Sequence, residues 1–135
     1  MNVYTEPRHG KPDFPIEIYQ GNCENGFHIP PHFHEEFEFL VLTQGNGVLR
    51  IDGVSQTLSQ GQGAFINSES IHLGLPTGRG PVSFFAIVFS PRILGSYVHD
   101  VVMDQYVSPV VRGSLRLPTV CDGQEEWSAQ ALDAA

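Results

Sequence analysis

Apolar residues along this chain fall in short, often alternating runs, with Gly and Pro at the corners between them. The first run is "IEIYQ", starting at Ile16. A long strand is expected from about Phe33 to Thr43, entered after Pro30 and Pro31, which disfavour helix in the residues before them. Alternation sends His32, His34, Glu36 and Glu38 to one face, continued by Leu40 and Leu42, and sends Phe33, Phe37, Phe39 and Val41 to the other. Both faces of the later half are apolar, which calls for cover on both sides. After a reversal at "QGNG", the segment "VLRIDGVSQTL" alternates around Asp52-Gly53, a pair that tolerates positive φ at both centres of a two-residue hairpin. "AFIN", "IHLGL" and "VSFFAIVF" read as further strands, introduced by the turns "SQGQG", "SES" and "PTGRGP". Short strands at short intervals predict an all-β barrel or jelly roll.

The pattern changes at both ends. Residues 1–13 are rich in charge and proline and read as an extended arm, and residues 14–110 hold the strands. Within "SPRILGSYVHDVV", Ser90 can cap a short helix, Pro91 suits its first position and Gly95 can end it. Residues 111–135 read as a linker and the start of a helical region. There Asp122 and Glu125 stand at capping-box spacing ahead of strong helix formers that run to the last residue. A helix this short is marginal without a partner surface, so more helix is expected beyond it.

Charge removes one class of function. The net charge is −8 with seven Lys and Arg, so phosphate neutralisation has little to work with and DNA binding by this chain alone is not expected. The start, "MNVYTEPRHGKPDFP", lacks the apolar segment of a signal peptide, and no run reaches membrane-spanning length. Cys23 and Cys121 lie far apart with no Cys-x-x-Cys spacing, and both read as reduced thiols. A cytoplasmic protein is the expectation.

The candidate chemistry is a histidine and glutamate constellation. His72 comes from a distant strand, and a barrel can bring it beside His32, His34 and Glu38. Three imidazoles and one carboxylate suit a divalent transition metal such as Fe, Mn, Ni, Cu or Zn, with positions left for water or substrate. The same four residues also make sense as a hydrogen-bonded polar cluster lining the barrel mouth. His28 reads as a rim residue, and Glu35 and Glu36 as solvating the strand entrance. Phe33, Phe37, Phe39, Phe65, Phe84, Phe85 and Phe89 read as core first and effector box second. In "VSFFAIVF" one face carries Phe85, Ile87 and Phe89, the other Phe84, Ala86 and Val88, and one of the two lines the pocket. Arg50 is the lone basic residue of its hairpin, placed to meet an anionic ligand or solvent. His9 and His99 have no evident partner.

The stretch from Gly26 to Gly45 resembles the first cupin motif, Gly-x5-His-x-His-x3-Glu-x6-Gly, at all five positions: Gly26, His32, His34, Glu38 and Gly45. The second cupin motif is matched only through Gly61 and His72. Asn67 stands where proline is usual, Glu69 where glycine is usual and Pro76 where asparagine is. Taken together, "HFHEEFEFLVLTQGNGVLRIDG", "GQGAFINSESIHLGLP" and "FFAIVFSPRIL" resemble the N-terminal sensor domain of AraC-type bacterial transcription regulators over about residues 14–97. The resemblance implies a cupin-type jelly roll that binds a small effector, with His32, His34, Glu38, His72, Arg50 and Phe85 as candidate ligand contacts. It also implies a following helical segment that makes a homodimer, and DNA contact only through C-terminal helix-turn-helix units whose pattern these 135 residues do not show. The reading from a different class is a stand-alone metal-dependent cupin enzyme of dioxygenase or isomerase type.

Overall fold

The computed structural model describes residues 2–95 and 100–135, so His99 lies outside the described residues. In chain order the strands are β1 (Tyr4–Thr5), β2 (Ile16–Cys23), β3 (Ile29–Phe33), β4 (Phe37–Gln44), β5 (Gly47–Ile51), β6 (Val54–Leu58), β7 (Gly63–Ile66), β8 (His72–Pro76), β9 (Val82–Phe89) and β10 (Val120–Cys121). They form two five-stranded sheets, in the orders β1-β3-β8-β5-β6 and β10-β7-β4-β9-β2. A 3-10 turn spans Pro91–Leu94, capped by Ser90 as expected. A π-helical turn (Met103–Val107) runs directly into helix α1 (Ser108–Val111), and helix α2 covers Glu126–Ala134. Among the described residues no helix is long and apolar enough to cross a membrane.

The alternation read from the sequence places the core. On β4, Glu38, Leu40 and Leu42 are buried, and Leu40 and Leu42 pack with Phe27, Leu49, Leu58, Ile66 and Ala86 between the two sheets. Each such fully buried large side chain contributes about 1.5–3 kcal/mol of burial energy. The opposite face is covered as well: Phe37 packs with Val107 and Val110, and with Phe65, Phe89 and Met103 around them. Register confirms which face of β9 looks inward, since Ala86 sits opposite the core residue Leu40 and Phe84 opposite Leu42. Phe85 pairs with Val41 and therefore lies on the outer face.

The hairpin at Asp52-Gly53 is present, with φ of 47° and 84° at the two central residues and Ile51 opposite Val54. Gly26 and Gly45 also carry positive φ, 96° and 78°, and a Cβ at either would strike the backbone oxygen of Gly78 or Pro81. Glu69 adopts φ of 60°, a conformation costly for a residue with a side chain, where the cupin pattern has glycine.

Three expectations are corrected. The long strand is two strands: residues 34–36 break it as the chain passes from one sheet to the other, with the Glu69 N–H donating to the His34 carbonyl and the Ser68 hydroxyl to the Glu35 carbonyl. The last helix begins at Glu126, and its N-cap Glu125 makes no side-chain cap bond. Gly123 takes φ of 79° and Asp122 instead accepts from the Gln124 N–H in a turn, which keeps the helix from starting earlier. Finally, residues 120–121, within the stretch read as linker, add β10 to the edge of β7.

Candidate metal and effector centre

His32 on β3 and His72 on β8 face each other directly across the first sheet, with ring centroids 4.1 Å apart. His34 lies just beyond the end of β3, and Glu38 reaches in from β4 of the second sheet. The barrel therefore gathers at one end the four residues that sequence spacing singles out, all buried, with one ligand atom from each within 4.8 Å of the others.

The imidazoles are oriented by the backbone. His32 Nδ1 lies 2.8 Å from the Pro30 carbonyl, His72 Nδ1 2.9 Å from that of Ser70, and His34 Nδ1 3.2 Å from that of Glu36. A carbonyl only accepts, so each Nδ1 carries its hydrogen and Nε2 is the nitrogen left to face the centre. His34 Nε2 lies 3.0 Å and His72 Nε2 3.2 Å from the same Glu38 oxygen, Oε2. Two neutral imidazoles of this tautomer would aim lone pairs at a carboxylate. The cluster therefore demands positive charge, either as protons on Nε2 or as a cation held between the nitrogens and the carboxylate. The donor set and the carbonyl-anchored Nδ1–H groups are of a kind that could hold a divalent transition metal.

Electrostatics follow the geometry. Burial pushes the Glu38 carboxyl up, but hydrogen bonds from His34 and His72 and their charge outweigh it and hold the group down at about 2. Burial depresses His34, yet Glu38 and Glu36 raise it above the usual histidine value. His32 is lowered, by burial first and by the neighbouring His72 second.

A second layer, illegible from spacing, closes the mouth. β1 in the N-terminal arm pairs in parallel with β3, Tyr4 opposite His32, and the Tyr4 ring stacks on that imidazole at 5.6 Å. His9 is buried, contrary to the expectation that it has no partner: its Nε2 is 2.9 Å from Glu6 Oε2, and its ring meets His34 edge-on at 5.0 Å. Glu36, expected in solvent, is buried too and accepts from the His9 backbone N–H at 3.0 Å. The break after His34 turns its side chain out of the alternation and under the arm. Glu35 remains exposed and pairs with Arg8, and His28 is exposed at the rim.

Arg50 and Phe85 do not join the centre. Arg50 follows the core residue Leu49 on β5, so it points outward, where its Nε donates to the Ser55 hydroxyl. Beside the arm lies an open cleft of about 750 Å³, lined among others by His9, Lys11, Glu36, Arg92 and Met103 but by none of the four clustered residues.

Two facing sheets closed over a His₃Glu cluster define a cupin-type barrel. Solved structures share that fold: a predicted oxalate decarboxylase from Thermotoga maritima (TM-score 0.51, 24% identity, 54% of this chain and 64% of that one). Another is an RmlC-like cupin with a double-stranded β-helix from Methanocaldococcus jannaschii (TM-score 0.51, 14% identity, 56% and 70%). Within that class, the model of the AraC-like ligand binding domain matches residues 14–131, and the chain belongs to that family. An uncharacterized HTH-type transcriptional regulator of Bacillus subtilis, YdeC, is 26% identical over 99% of this chain, which spans 46% of that regulator.

Proposed function

We propose that this chain is the effector-sensing part of an AraC-type transcription regulator, and that the cluster of His32, His34, Glu38 and His72 is the polar centre of its effector site, holding a divalent transition metal. The observation that carries this is the convergence of three backbone-anchored imidazoles on one buried carboxylate at the mouth of a barrel belonging to a ligand-binding family. Below that centre Leu40, Leu42, Leu49, Leu58 and Ile66 leave no exposed surface, so the effector's place is at the mouth, beneath the arm. When bound, the metal supplies a Lewis-acidic point that an anionic or hydroxylated small molecule can ligate. Glu38 and the histidines fix its position, and the arm excludes water.

In this reading residues 1–13 are an arm, residues 14–110 together with β10 the barrel, and the helical segments after residue 100 form a dimerisation surface. Support for a homodimer comes from Val101, Val102, Tyr106, Leu117 and Trp127, all exposed on or near the helical segments. DNA is contacted by a separate region, as the HTH-type relative implies, and the protein works in the cytoplasm, where such regulators meet DNA.

The test is metal content and turnover in the purified chain and in His34→Ala and His72→Ala. Metal in the wild type, lost in both variants, with no reaction on small carboxylates or sugars, is the expected result. Metal lost together with a measurable reaction would favour the cupin-enzyme reading and overturn the sensor.

A further inference from the structure

Glu6 is the one carboxylate of the arm that faces the metal centre. Its backbone N–H donates to the Phe33 carbonyl at 3.0 Å, continuing the β1–β3 pairing, so its position is set by the barrel. One oxygen, Oε2, is held by His9 Nε2 at 2.9 Å, and the other, Oε1, stands 3.8 Å from His32 Nε2. Since His32 Nδ1 is engaged by the Pro30 carbonyl, Nε2 is the nitrogen that faces both Glu6 and the cluster. A divalent ion ligated by Glu38 as its one carboxylate carries an excess positive charge in a buried place; Glu36 approaches it only from the Nδ1 side of His34, and Glu6 adds a carboxylate on the side of His32 Nε2.

The geometry points to Glu6 as a positioning residue delivered by the arm, which stands outside the four clustered ligands and acts on the cation site through His32; its charge tightens the metal, and through it the metal pins the arm shut. The inference rests on the metal reading above. It makes arm closure and metal affinity reciprocal: whatever factor the closed arm adds to affinity, the metal adds to closure.

Arg8 offers a reporter of closure, because its side chain is 72% exposed and it lies two residues beyond Glu6. Zn²⁺ affinity by calorimetry, and the rate of tryptic cleavage after Arg8 with and without Zn²⁺, are measured on the wild type, Glu6→Gln, Glu35→Gln and His34→Ala. Glu6→Gln is expected to weaken Zn²⁺ binding by about 10- to 100-fold, in the range found for groups that support metal ligands. It should also remove the protection that Zn²⁺ gives the Arg8 site, by a similar factor. Glu35→Gln, which alters the exposed carboxylate paired with Arg8, leaves affinity unchanged. If His34→Ala abolishes binding while Glu6→Gln binds within about twofold of wild type, the inference is overturned and the metal reading stands. Absence of Zn²⁺ protection in the metal-loaded wild type overturns it without reference to any variant. A wild type that takes up no Zn²⁺, with His34→Ala silent as well, overturns both.

Discussion

Glu38 makes a stability prediction that can be worked through. Its carboxyl sits at about 2 in the folded chain against an ordinary value of 4.5. A depressed carboxylate contributes stability that is fully present above the unfolded value and is lost as pH falls towards the folded one. The shift of about 2.5 units corresponds to about 3 kcal/mol at neutral pH, of which about 2 kcal/mol is lost between pH 6 and pH 3. The raised value of His34 reflects the same contact seen from its other partner and is not added a second time. The perturbation is Glu38→Gln, nearly isosteric but unable to ionise. Urea unfolding of the EDTA-treated proteins at intervals from pH 6 to pH 3 gives free energies for both chains, and their difference cancels the remaining carboxylates. The wild type should lose about 2 kcal/mol more than the variant across this window. Parallel curves would refute the claim that Glu38 is held ionised by the two imidazoles.

Four further outcomes are expected. Phe27 is fully buried, with the Phe84 ring edge-on at 5.7 Å, so Phe27→Ala should destabilise by about 3–5 kcal/mol in chemical denaturation. Gly47→Ala should also destabilise, because its Cβ would come within 2.5 Å of the Phe27 ring. Sedimentation at rising concentration should show self-association weakened by Val102→Glu, since Val102 is 49% exposed; a monomer at every concentration would contradict the proposed dimer. At physiological salt the chain should not retain duplex DNA, given a net charge of −8.

What was legible in the sequence was what local rules decide. Period-two alternation identified the strands and the inward face of β4, the Asp52-Gly53 pair fixed a hairpin, and motif spacing picked out four residues that the barrel brings together. What was not legible depends on contacts between distant segments. Alternation through His34 to Glu38 assumes an unbroken strand, and the change of sheet at residues 34–36 keeps His34 and Glu38 in the cluster while diverting Glu36. The pairing of His9 with Glu36 spans 27 residues, with no periodicity to announce it. Arg50 drew attention as a lone cation, but the buried neighbour Leu49 decides its direction. Asp122 and Glu125 have the spacing of a capping box, and the left-handed Gly123 between them overrides it.

In the proposed sensing role, the state of the site must reach the helical segments, and on β4 one residue separates the two. Glu38 faces the histidines while its neighbour Phe37, on the same strand, packs under Val107 and Val110. On the adjacent strand Ile66 pairs with Glu38, and the next residue, Asn67, donates from Nδ2 to the Val110 carbonyl at 2.7 Å. β4 thus presents Glu38 to the cluster on one side and, together with Asn67 at the end of β7, holds the helical layer on the other. The layer they hold contains the π-helical turn Met103–Val107, a departure from regular helix of a kind associated with functional sites. A close-packed interface does not absorb small displacements by gradual deformation. In the proposed sensing role, a shift of β4 that re-seats Glu38 would move Phe37 against Val107 and Val110, the helical residues it packs under.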